Sequence, residues 1–380
     1  MRNILLIISL AILSLVFVSS SSYAITGVCS NCHTMHNSQN GAGEVTTFAS
    51  GVRTELGTTP QDYLLKGSCL GCHSGSTGQT NTFGAPIVIH TTAPSGQGGN
   101  YTLAGGDFYW VATGLGATDA RGHNVSGVAA ADGQLTTPPG WDAGATSGFT
   151  YGQIGAGSWP SGTQVTCAGT YGCHGQHSST GITGAHHGNT DGTATQSDGT
   201  NGGTTVGSSY RFLGGIYGLE DSNWNYGEDD STHNEYFGVD SPASRDLSNS
   251  TYGDKTTISF LCAQCHGYFH SRIDDTTGGA SPWRRHPTDI ALPSTGEYNS
   301  YNPDNSNAYS LEAPVARASV PSASSATVTP GTDIVMCLSC HRAHGSPQDD
   351  LLRWDYSTIQ AGTGTTDNGC FICHTGKNAD

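Results

Sequence analysis

Residues 337–344 read Cys-Leu-Ser-Cys-His-Arg-Ala-His, and the pattern of the first five recurs along the chain. In this pattern two residues separate a pair of cysteines, and the second cysteine is followed directly by histidine. The pattern occurs five times, at residues 29–33, 69–73, 262–266, 337–341 and 370–374. A longer variant with five residues between the cysteines occupies residues 167–174. Together the six segments use all 12 cysteines of the chain.

This C-x-x-C-H spacing is typical of covalent c-type haem attachment, in which both thiols form thioethers with the porphyrin. The histidine is then held against one face of the iron as its proximal ligand. A disulfide framework or a zinc site would not require a histidine after every second cysteine; only for residues 167–174 do a local disulfide or a single thioether remain alternatives. The predicted attachment cysteines are Cys29, Cys32, Cys69, Cys72, Cys167, Cys173, Cys262, Cys265, Cys337, Cys340, Cys370 and Cys373, and the proximal ligands are His33, His73, His174, His266, His341 and His374.

The second axial ligands must come from elsewhere in the chain. Methionine, the usual alternative, is nearly absent, with only Met35 and Met336 beyond the N-terminal segment, so bis-His ligation of six irons is predicted. His177 is expected to be a surface histidine. The preferred distal candidates are His36, His123, His187, His286 and His344, and the further candidates are His90, His233 and His270.

The spacing of two histidines limits which iron each of them serves. His36 lies three residues after His33, and His344 lies three residues after His341. Two ligands of one iron approach from opposite porphyrin faces, which the two intervening residues cannot span. His36 and His344 are therefore expected to reach a different haem or no haem. A segment that binds two irons brings two haems into close contact, which favours electron hopping.

The composition indicates how such a chain folds. Hydrophobic residues make up 35%, charged residues 12% and glycine 54 of 380 positions, against about 45–50% apolar and about 25% charged residues in ordinary domains. We therefore predict a mostly irregular chain with short helices and few short strands, wrapped as one domain over residues 25–380 around six haems. Short helices are expected at the motifs and near 349–356, and brief strands near 84–90 and 107–112.

The first 24 residues have the pattern of a cleaved signal peptide, with Arg2, an apolar run and Ser22-Tyr23-Ala24. No later stretch is apolar enough to span a bilayer. The net charge of −16 disfavours nucleic acids and anionic lipids as partners. No catalytic motif is present, including the C-x-x-C-K haem variant, so an electron-transfer protein is expected rather than an enzyme.

Further segments carry a resemblance to a known family. They are Cys-Ser-Asn-Cys-His-Thr-Met-His-Asn-Ser-Gln over 29–39, Gly-Asp-Phe-Tyr-Trp-Val over 106–111, Arg-Gly-His-Asn-Val over 121–125, Tyr-Arg-Phe-Leu-Gly over 210–214, and residues 337–344. Together they resemble the OmcS/OmcE-type outer-surface multihaem c-type cytochromes, which polymerise into extracellular nanowires. The resemblance implies a hexahaem member with a continuous chain of bis-His haems. It also implies that His36 ligates a haem in the adjoining subunit.

The predicted function is long-range extracellular electron transfer through an end-to-end homopolymer, with other cytochromes and extracellular acceptors as redox partners. A monomeric periplasmic or surface electron shuttle is the first alternative. A multihaem reductase is the second, and it requires a five-coordinate iron.

Overall fold

The computed structural model describes residues 28–39, 42–43, 45–57, 60–81, 84–95, 103–144, 153–177, 206, 209–221, 229–240, 255–271, 286–362 and 368–378. Helical structure in these ranges is short. The α-helices are α1 (Cys69–Cys72), α2 (Ile258–Ala263), α3 (Gly267–Ser271) and α4 (Thr375–Asn378). The 3-10 turns are Cys29–Asn31, Asp62–Leu64, Phe108–Trp110, Asp119–Arg121, Tyr210–Phe212, Gly296–Tyr298, Cys337–Ser339, Asp349–Leu351, Tyr356–Thr358 and Gly369–Ile372.

The strands are equally short and form small separate sheets. They are β1 (Ser38–Gln39), β2 (Ala42–Gly43), β3 (Val45–Ala49), β4 (Val52–Gly57), β5 (Ser74–Gly75), β6 (Ile89–His90), β7 (Thr166–Ala168), β8 (Gly172–His174), β9 (Gly218–Leu219), β10 (Glu235–Phe237), β11 (Ile290–Ala291), β12 (Ala316–Arg317) and β13 (Ile334–Val335). β1–β2 and β3–β4 pair antiparallel, and β5–β6 and β7–β8 pair parallel. The largest sheet has the order β11-β13-β12-β10-β9. The predicted mostly irregular fold is confirmed.

Side-chain caps start the two longer motif helices. Ser68 accepts a hydrogen bond from the backbone N–H of Gly71 at α1, and Thr257 accepts one from Phe260 at α2. Such caps satisfy backbone donors that a helix start leaves without partners. A short helical turn therefore forms at the second and fourth motifs although neither segment is long enough to be a stable helix alone.

Three small apolar clusters replace a continuous core in the described residues. One gathers Tyr210, Ile216 and Ile334 with their neighbours, and another is built around Phe48 and Phe108. The third packs partly buried cysteines of the last two motifs against buried aliphatic and aromatic side chains; these cysteines are Cys340, Cys370 and Cys373. The apolar clusters thus lie beside the motifs. One domain over residues 25–380 stays a prediction.

Three expectations about local structure need correction. The strand expected near 107–112 is a 3-10 turn, because the Asp107 carboxylate accepts a hydrogen bond from the backbone N–H of Tyr109 and turns the chain. Near 84–90 only Ile89–His90 is a strand, and 349–356 holds two separate 3-10 turns instead of one helix. In the part of the chain that the structure describes, no helix has the length and apolarity to cross a membrane.

Candidate haem-binding sites

The six predicted proximal histidines share one hydrogen-bond arrangement. The Nδ1 of each donates to a protein oxygen: His33 to Tyr63 O (2.9 Å), His73 to Pro86 O (2.9 Å), His174 to Arg211 O (3.0 Å), His266 to Pro139 O (2.6 Å), His341 to Asp350 O (2.8 Å) and His374 to Glu297 Oε1 (2.9 Å). A proton held on Nδ1 leaves the lone pair on Nε2, which is how metal-binding histidines are usually oriented. The residues present therefore fit haem iron.

The first, third and fifth motifs obtain their acceptor from the same backbone shape. The carbonyls of Tyr63, Arg211 and Asp350 each belong to a 3-10 turn in which two successive non-glycine residues have positive φ angles. These angles are 58° and 56° for Tyr63 and Leu64, 45° and 59° for Arg211 and Phe212, and 59° and 59° for Asp350 and Leu351. Such conformations persist only when their surroundings hold them. Here the holding contacts are β-bridges to the motif, at His33–Leu65, Gly175–Leu213 and His341–Leu352.

The even-numbered motifs use a different acceptor. The second and fourth motifs use the carbonyls of Pro86 and Pro139. The sixth motif is the exception among all six, since His374 donates to the Glu297 carboxylate rather than to a backbone carbonyl. Hydrogen bonds from His374, Lys377 and Tyr298 lower the pKa of Glu297 to about 2. Odd and even motifs therefore alternate along the chain in how the proximal imidazole is held.

Three predicted distal histidines lie opposite proximal ones. The ring centres are 6.2 Å apart for His123 and His266, 6.4 Å for His174 and His344, and 6.0 Å for His286 and His374. Two imidazoles that bind one metal from opposite faces, through nitrogen–metal bonds of about 2.0 Å, have ring centres roughly 6 Å apart. The three pairs have the separation that one iron between them requires.

In two of the three pairs, His123 with His266 and His174 with His344, the pKa values of the imidazoles are lowered. Burial, together with the neighbouring His174, lowers the pKa of His344 to about 3. Burial and His123 lower the pKa of His266 to about 4. Burial also lowers the pKa values of His123 and His174. Only a neutral imidazole has a lone pair to donate to a metal. The lowered pKa values of these four rings therefore favour metal binding over protonation.

One short segment orients two of the distal ligands. The backbone N–H of His344 donates to Gly105 O at 2.7 Å. The His123 ring then donates from Nδ1 to Ala343 O at 2.7 Å, and its backbone N–H donates to His344 O at 3.3 Å. The loop around His344 therefore positions the candidate distal ligands of both the third and the fourth motif.

Glycines make this close approach possible. Gly345 bridges Gly106 and Gly122, so three backbone segments meet at one point. A Cβ on Gly345 would lie 2.8 Å from Arg121 O and 2.8 Å from Asp107 O. Gly106 has a φ of 84°, and a Cβ there would collide with Gly345 O. Only residues without side chains fit at this junction.

Contacts between cysteines show which motifs are neighbours. A hydrogen bond from Cys167 lowers the pKa of Cys69 to about 6, which places the second motif against the third. A hydrogen bond from Cys262 lowers the pKa of Cys337, which places the fourth motif against the fifth. If these cysteines carry haem as predicted, the sulfur atoms would be thioethers and the contacts would be contacts between attachment points.

The remaining neighbours complete the series. Burial and a negative charge on Cys173 raise the pKa of Cys265 to about 12, so the third and fourth motifs adjoin. Burial and Cys340 raise the pKa of Cys373 to about 12, so the fifth and sixth adjoin. At the N-terminal end, Lys66 donates its backbone N–H to Cys32 O at 2.8 Å, next to the second motif. The motifs therefore follow one another in space in chain order.

Two further candidates are engaged in other contacts. The Nδ1 of His90 lies 2.5 Å from Asp107 Oδ2, and its Nε2 lies 3.0 Å from Gly78 O. The Nδ1 of His233 lies 3.2 Å from the carbonyl oxygen of Asp229, its Nε2 lies 3.3 Å from Glu235 Oε1, and its ring stacks on Tyr309. Since both ring nitrogens face protein oxygens, we do not carry His90 and His233 into the proposed ligand set.

The other candidates are placed less completely. His36 is exposed and has a φ of 57°, next to the exposed Met35. His270 lies in α3, but its side chain is outside the described residues. His187 and the predicted signal peptide over 1–24 also lie outside them. His177, expected at the surface, is half-buried and bound to Thr170 O at 3.0 Å.

Sequence reasoning missed the oxygen acceptors of the proximal histidines. Five of them are backbone carbonyls, which no side-chain pattern reveals. Glu297 lies 77 residues before His374, in a segment without any recognisable motif.

Comparison with known proteins finds the same motifs elsewhere. Residues 330–379, which contain the fifth and sixth motifs, match a family model described as a doubled CXXCH motif. The C-type cytochrome OmcS of Geobacter sulfurreducens is 26% identical, over 89% of this chain and 82% of that protein. The chain is similar to a multihaem c-type cytochrome. This similarity confirms the resemblance that the motifs predicted, and with it the binding of c-type haem.

Two solved structures also match the chain. The outer membrane cytochrome S filament from Geobacter sulfurreducens is 22% identical, with a TM-score of 0.41, over 93% of this chain and 92% of the other. The OmcS nanowires from the same organism are 21% identical, with a TM-score of 0.46, over 94% and 92% of the two chains.

Proposed function

We propose that the chain is a hexahaem c-type cytochrome that carries electrons over long distances outside the cell, in a filament of subunits joined end to end. The observation that carries the proposal is the set of three histidine pairs with ring centres 6.0–6.4 Å apart, each of which joins a motif histidine to a distant one. The proposal includes removal of residues 1–24, a single domain over 25–380, and attachment at all six motifs.

Bis-His ligation suits electron transfer and not substrate chemistry. A bound haem supplies one-electron redox chemistry. On this proposal each iron would be held by two imidazoles, which would lower its potential relative to His/Met ligation and leave no position for substrate. The proposed pairs are His123 with His266, His344 with His174, and His286 with His374. On this proposal the protein is not an enzyme.

Three proximal histidines remain, namely His33, His73 and His341. Three distal candidates remain for them, namely His187, His270 and His36, the last from a neighbouring subunit. The order of the motifs in space supports a continuous haem chain, because cysteines of the second and third motifs and of the fourth and fifth are hydrogen-bonded, and the other consecutive motifs lie near each other. Electrons would then hop through the subunit from its first haem to its sixth.

The surface around the first motif supports docking of a second copy. Val28 is 68% exposed, Met35 69%, Tyr63 75% and Leu64 45%. These side chains surround the first motif, because Thr34 donates its backbone N–H to Leu64 O and His33 donates to Tyr63 O. Large apolar side chains exposed together mark interaction sites. Burial of this surface would bring His36 to the neighbouring subunit.

The remaining parts of the proposal concern location and partners. The signal sequence and the filament imply secretion to the cell surface. Other cytochromes would deliver electrons, and extracellular acceptors would receive them. The net charge of −16 fits neither a nucleic acid nor an anionic membrane as partner.

The filament is tested with His36→Ala, which we expect to abolish polymerisation while six haems remain attached. Haem content is measured by the pyridine haemochrome assay and assembly by gel filtration and negative-stain microscopy. His177→Ala is the matched control, because His177 also lies three residues after a motif histidine. We expect fibres from the control. Normal fibres from His36→Ala would contradict the intersubunit ligand, and a wild-type protein that stays monomeric would favour the electron shuttle.

The absence of catalysis at iron is tested separately. Electron paramagnetic resonance of the wild-type protein should show only low-spin ferric haem. A high-spin signal would contradict bis-His ligation throughout and would favour the reductase alternative.

A further inference from the structure

Glu297 distinguishes the sixth motif from the other five. The proximal histidines of the first five motifs donate Nδ1–H to neutral backbone carbonyls. His374 donates instead to the Glu297 carboxylate, Nδ1 to Oε1, at 2.9 Å. We propose that Glu297 is a positioning residue that lowers the reduction potential of the haem at Cys370–His374. This inference rests on the proposed hexahaem function.

The contact is built by the local fold. Glu297 belongs to the 3-10 turn Gly296–Tyr298, which packs on the chain directly after His374. A Cβ on Gly376 would lie 2.7 Å from Glu297 Cα, so the two backbones touch. Thr375 Oγ1 donates to Glu297 O at 3.3 Å, and Lys377 Nζ lies 3.0 Å from Glu297 Oε2. The carboxylate is therefore held toward the imidazole by backbone packing and by a second donor.

The packing around the imidazole fixes its direction as well. The centre of the Tyr298 ring lies 4.8 Å from that of the His374 ring, and the centre of the His286 ring lies 6.0 Å from it. Both members of the Glu297–His374 pair are about a quarter exposed, at 25% and 27%. The carboxylate is thus partly shielded from water, which preserves its effect on the ring.

The direction of the effect follows from charge. A carboxylate that accepts the Nδ1 proton makes the imidazole a more basic ligand than a carbonyl does. A more basic ligand and a nearby negative charge both stabilise ferric iron relative to ferrous iron. The haem of the sixth motif should therefore have a lower potential than it would have with the carbonyl acceptor that the other motifs use.

The test is Glu297→Gln, measured by spectroelectrochemical titration of the full haem-loaded protein. The glutamine carbonyl accepts the same hydrogen bond without charge, so the acceptor becomes like those of the other five motifs. We expect the potential of one haem to shift upward while five stay unchanged. We also expect the nitrogen resonances of the His374 ring to change, which a merely structural role would not cause.

Glu312→Gln is the matched control. Glu312 Oε1 accepts a hydrogen bond from the Gly369 backbone N–H at 3.1 Å, directly before Cys370, and does not touch the imidazole. The Glu312→Gln substitution removes a carboxylate near the same haem, while the hydrogen bond from His374 Nδ1 to Glu297 is kept. We expect a smaller shift and unchanged ring resonances. An equal shift in the two variants would overturn a role through the ligand.

Lys377→Met tests the sign. Without the ammonium group, the carboxylate acts on His374 alone, so the potential should fall, opposite to Glu297→Gln. A rise in both variants would indicate loss of local structure and would overturn the inference. Haem content and spin state are measured in every variant. If Glu297→Gln keeps six low-spin haems and no reduction potential shifts, this inference alone is contradicted. Fewer than six haems or high-spin iron in the wild-type protein would instead contradict the proposed function.

Discussion

At the scale of single residues, the candidate sites depend on which imidazole nitrogen carries the proton. An Nδ1–H that is held by an oxygen atom fixes both the tautomer and the ring plane. This arrangement is present at all six motif histidines. Buried neutral distal rings such as His344 then face them at the distance of a shared metal. The hydrogen-bond partner and the burial of each imidazole therefore indicate which role the histidine has at the site.

Replacement of His344 by alanine removes the proposed distal ligand of the third motif. We expect one of six irons to become high-spin while all six haems stay attached, because thioether formation does not need this residue. The spin state is measured by electron paramagnetic resonance and the haem content by the pyridine haemochrome assay. His233→Ala, at a buried histidine outside the proposed set, should leave every iron low-spin. An entirely low-spin spectrum of His344→Ala would refute the pairing with His174.

His90 and Asp107 form a buried pair that contributes to stability. Burial acts to lower the pKa of His90, but the hydrogen bond and the charge of Asp107 outweigh it, and the pKa is raised. The stabilisation is therefore fully present below the unfolded pKa of about 6.5 and is lost as pH rises through the higher folded value. His90→Gln should destabilise by about 3 kcal/mol at acidic pH, because the Asp107 carboxylate stays buried without its charged partner.

The measurement for His90→Gln is chemical denaturation at about pH 6 and about pH 9. The difference from the wild type should shrink at the higher pH. A difference that is the same at both values would show that His90 is not protonated in the folded protein.

At the scale of elements, turns and glycine junctions carry the site, and helices contribute little. The three odd-numbered motifs receive their acceptors from turns with left-handed residues, and Gly345 joins the loops of two distal ligands. Gly345→Ala should displace both His344 and His123, because the added methyl would lie 2.8 Å from two backbone oxygens. Overpacking of this kind lowers the free energy of unfolding by about 1–3 kcal/mol. We expect two irons with altered spin state, visible by electron paramagnetic resonance.

The control for this junction is Gly133→Ala, where an added Cβ would have no atom within 4 Å. This variant should keep the wild-type spectrum and stability. If Gly345→Ala also kept them, the loop around His344 would not be the element that positions the two ligands.

The sequence predicts the parts of the site that covalent chemistry places side by side. Two thiols and a proximal histidine must be adjacent in the chain to reach one haem, so they form a readable motif. A distal ligand comes from a distant part of the chain. An irregular chain has no hydrophobic periodicity from which the orientation of such a side chain could be predicted. For His344 the spacing excludes the iron of its own motif and so predicts a role at another haem, which stays a prediction. His90 occupies a similar loop, and its ring contacts Asp107. The strand expected near 107–112 fails for a related reason, because a local hydrogen bond from the Tyr109 backbone N–H to the Asp107 carboxylate turns the chain.

At the scale of the whole molecule, six motifs are distributed along the chain between residues 29 and 374. The last pair coincides with the doubled CXXCH match at 330–379, and odd and even motifs alternate in how the proximal histidine is held. In the described residues, three small apolar clusters take the place of one continuous core. In the proposed protein the haems supply the remaining apolar volume.

The chain without haem should therefore remain unfolded. Production under conditions that block haem attachment, followed by amide hydrogen exchange and limited proteolysis, checks this. We expect fast exchange at the amides that the structure shows hydrogen-bonded, such as that of His344, and rapid cleavage throughout. Protection equal to that of the haem-bound protein would contradict the proposed role of haem as the core.

The pairing of His174 with His344 has a consequence for biosynthesis. A polypeptide emerges from its N-terminus, so the third motif is complete long before the residue proposed to close its second axial position has been made. During that interval its iron would be open to oxygen and to small reductants. A prematurely terminated chain that lacks the fifth motif would keep this opening permanently. Such a fragment would be a reactive by-product rather than a shorter conductor, and the cell gains from degrading it.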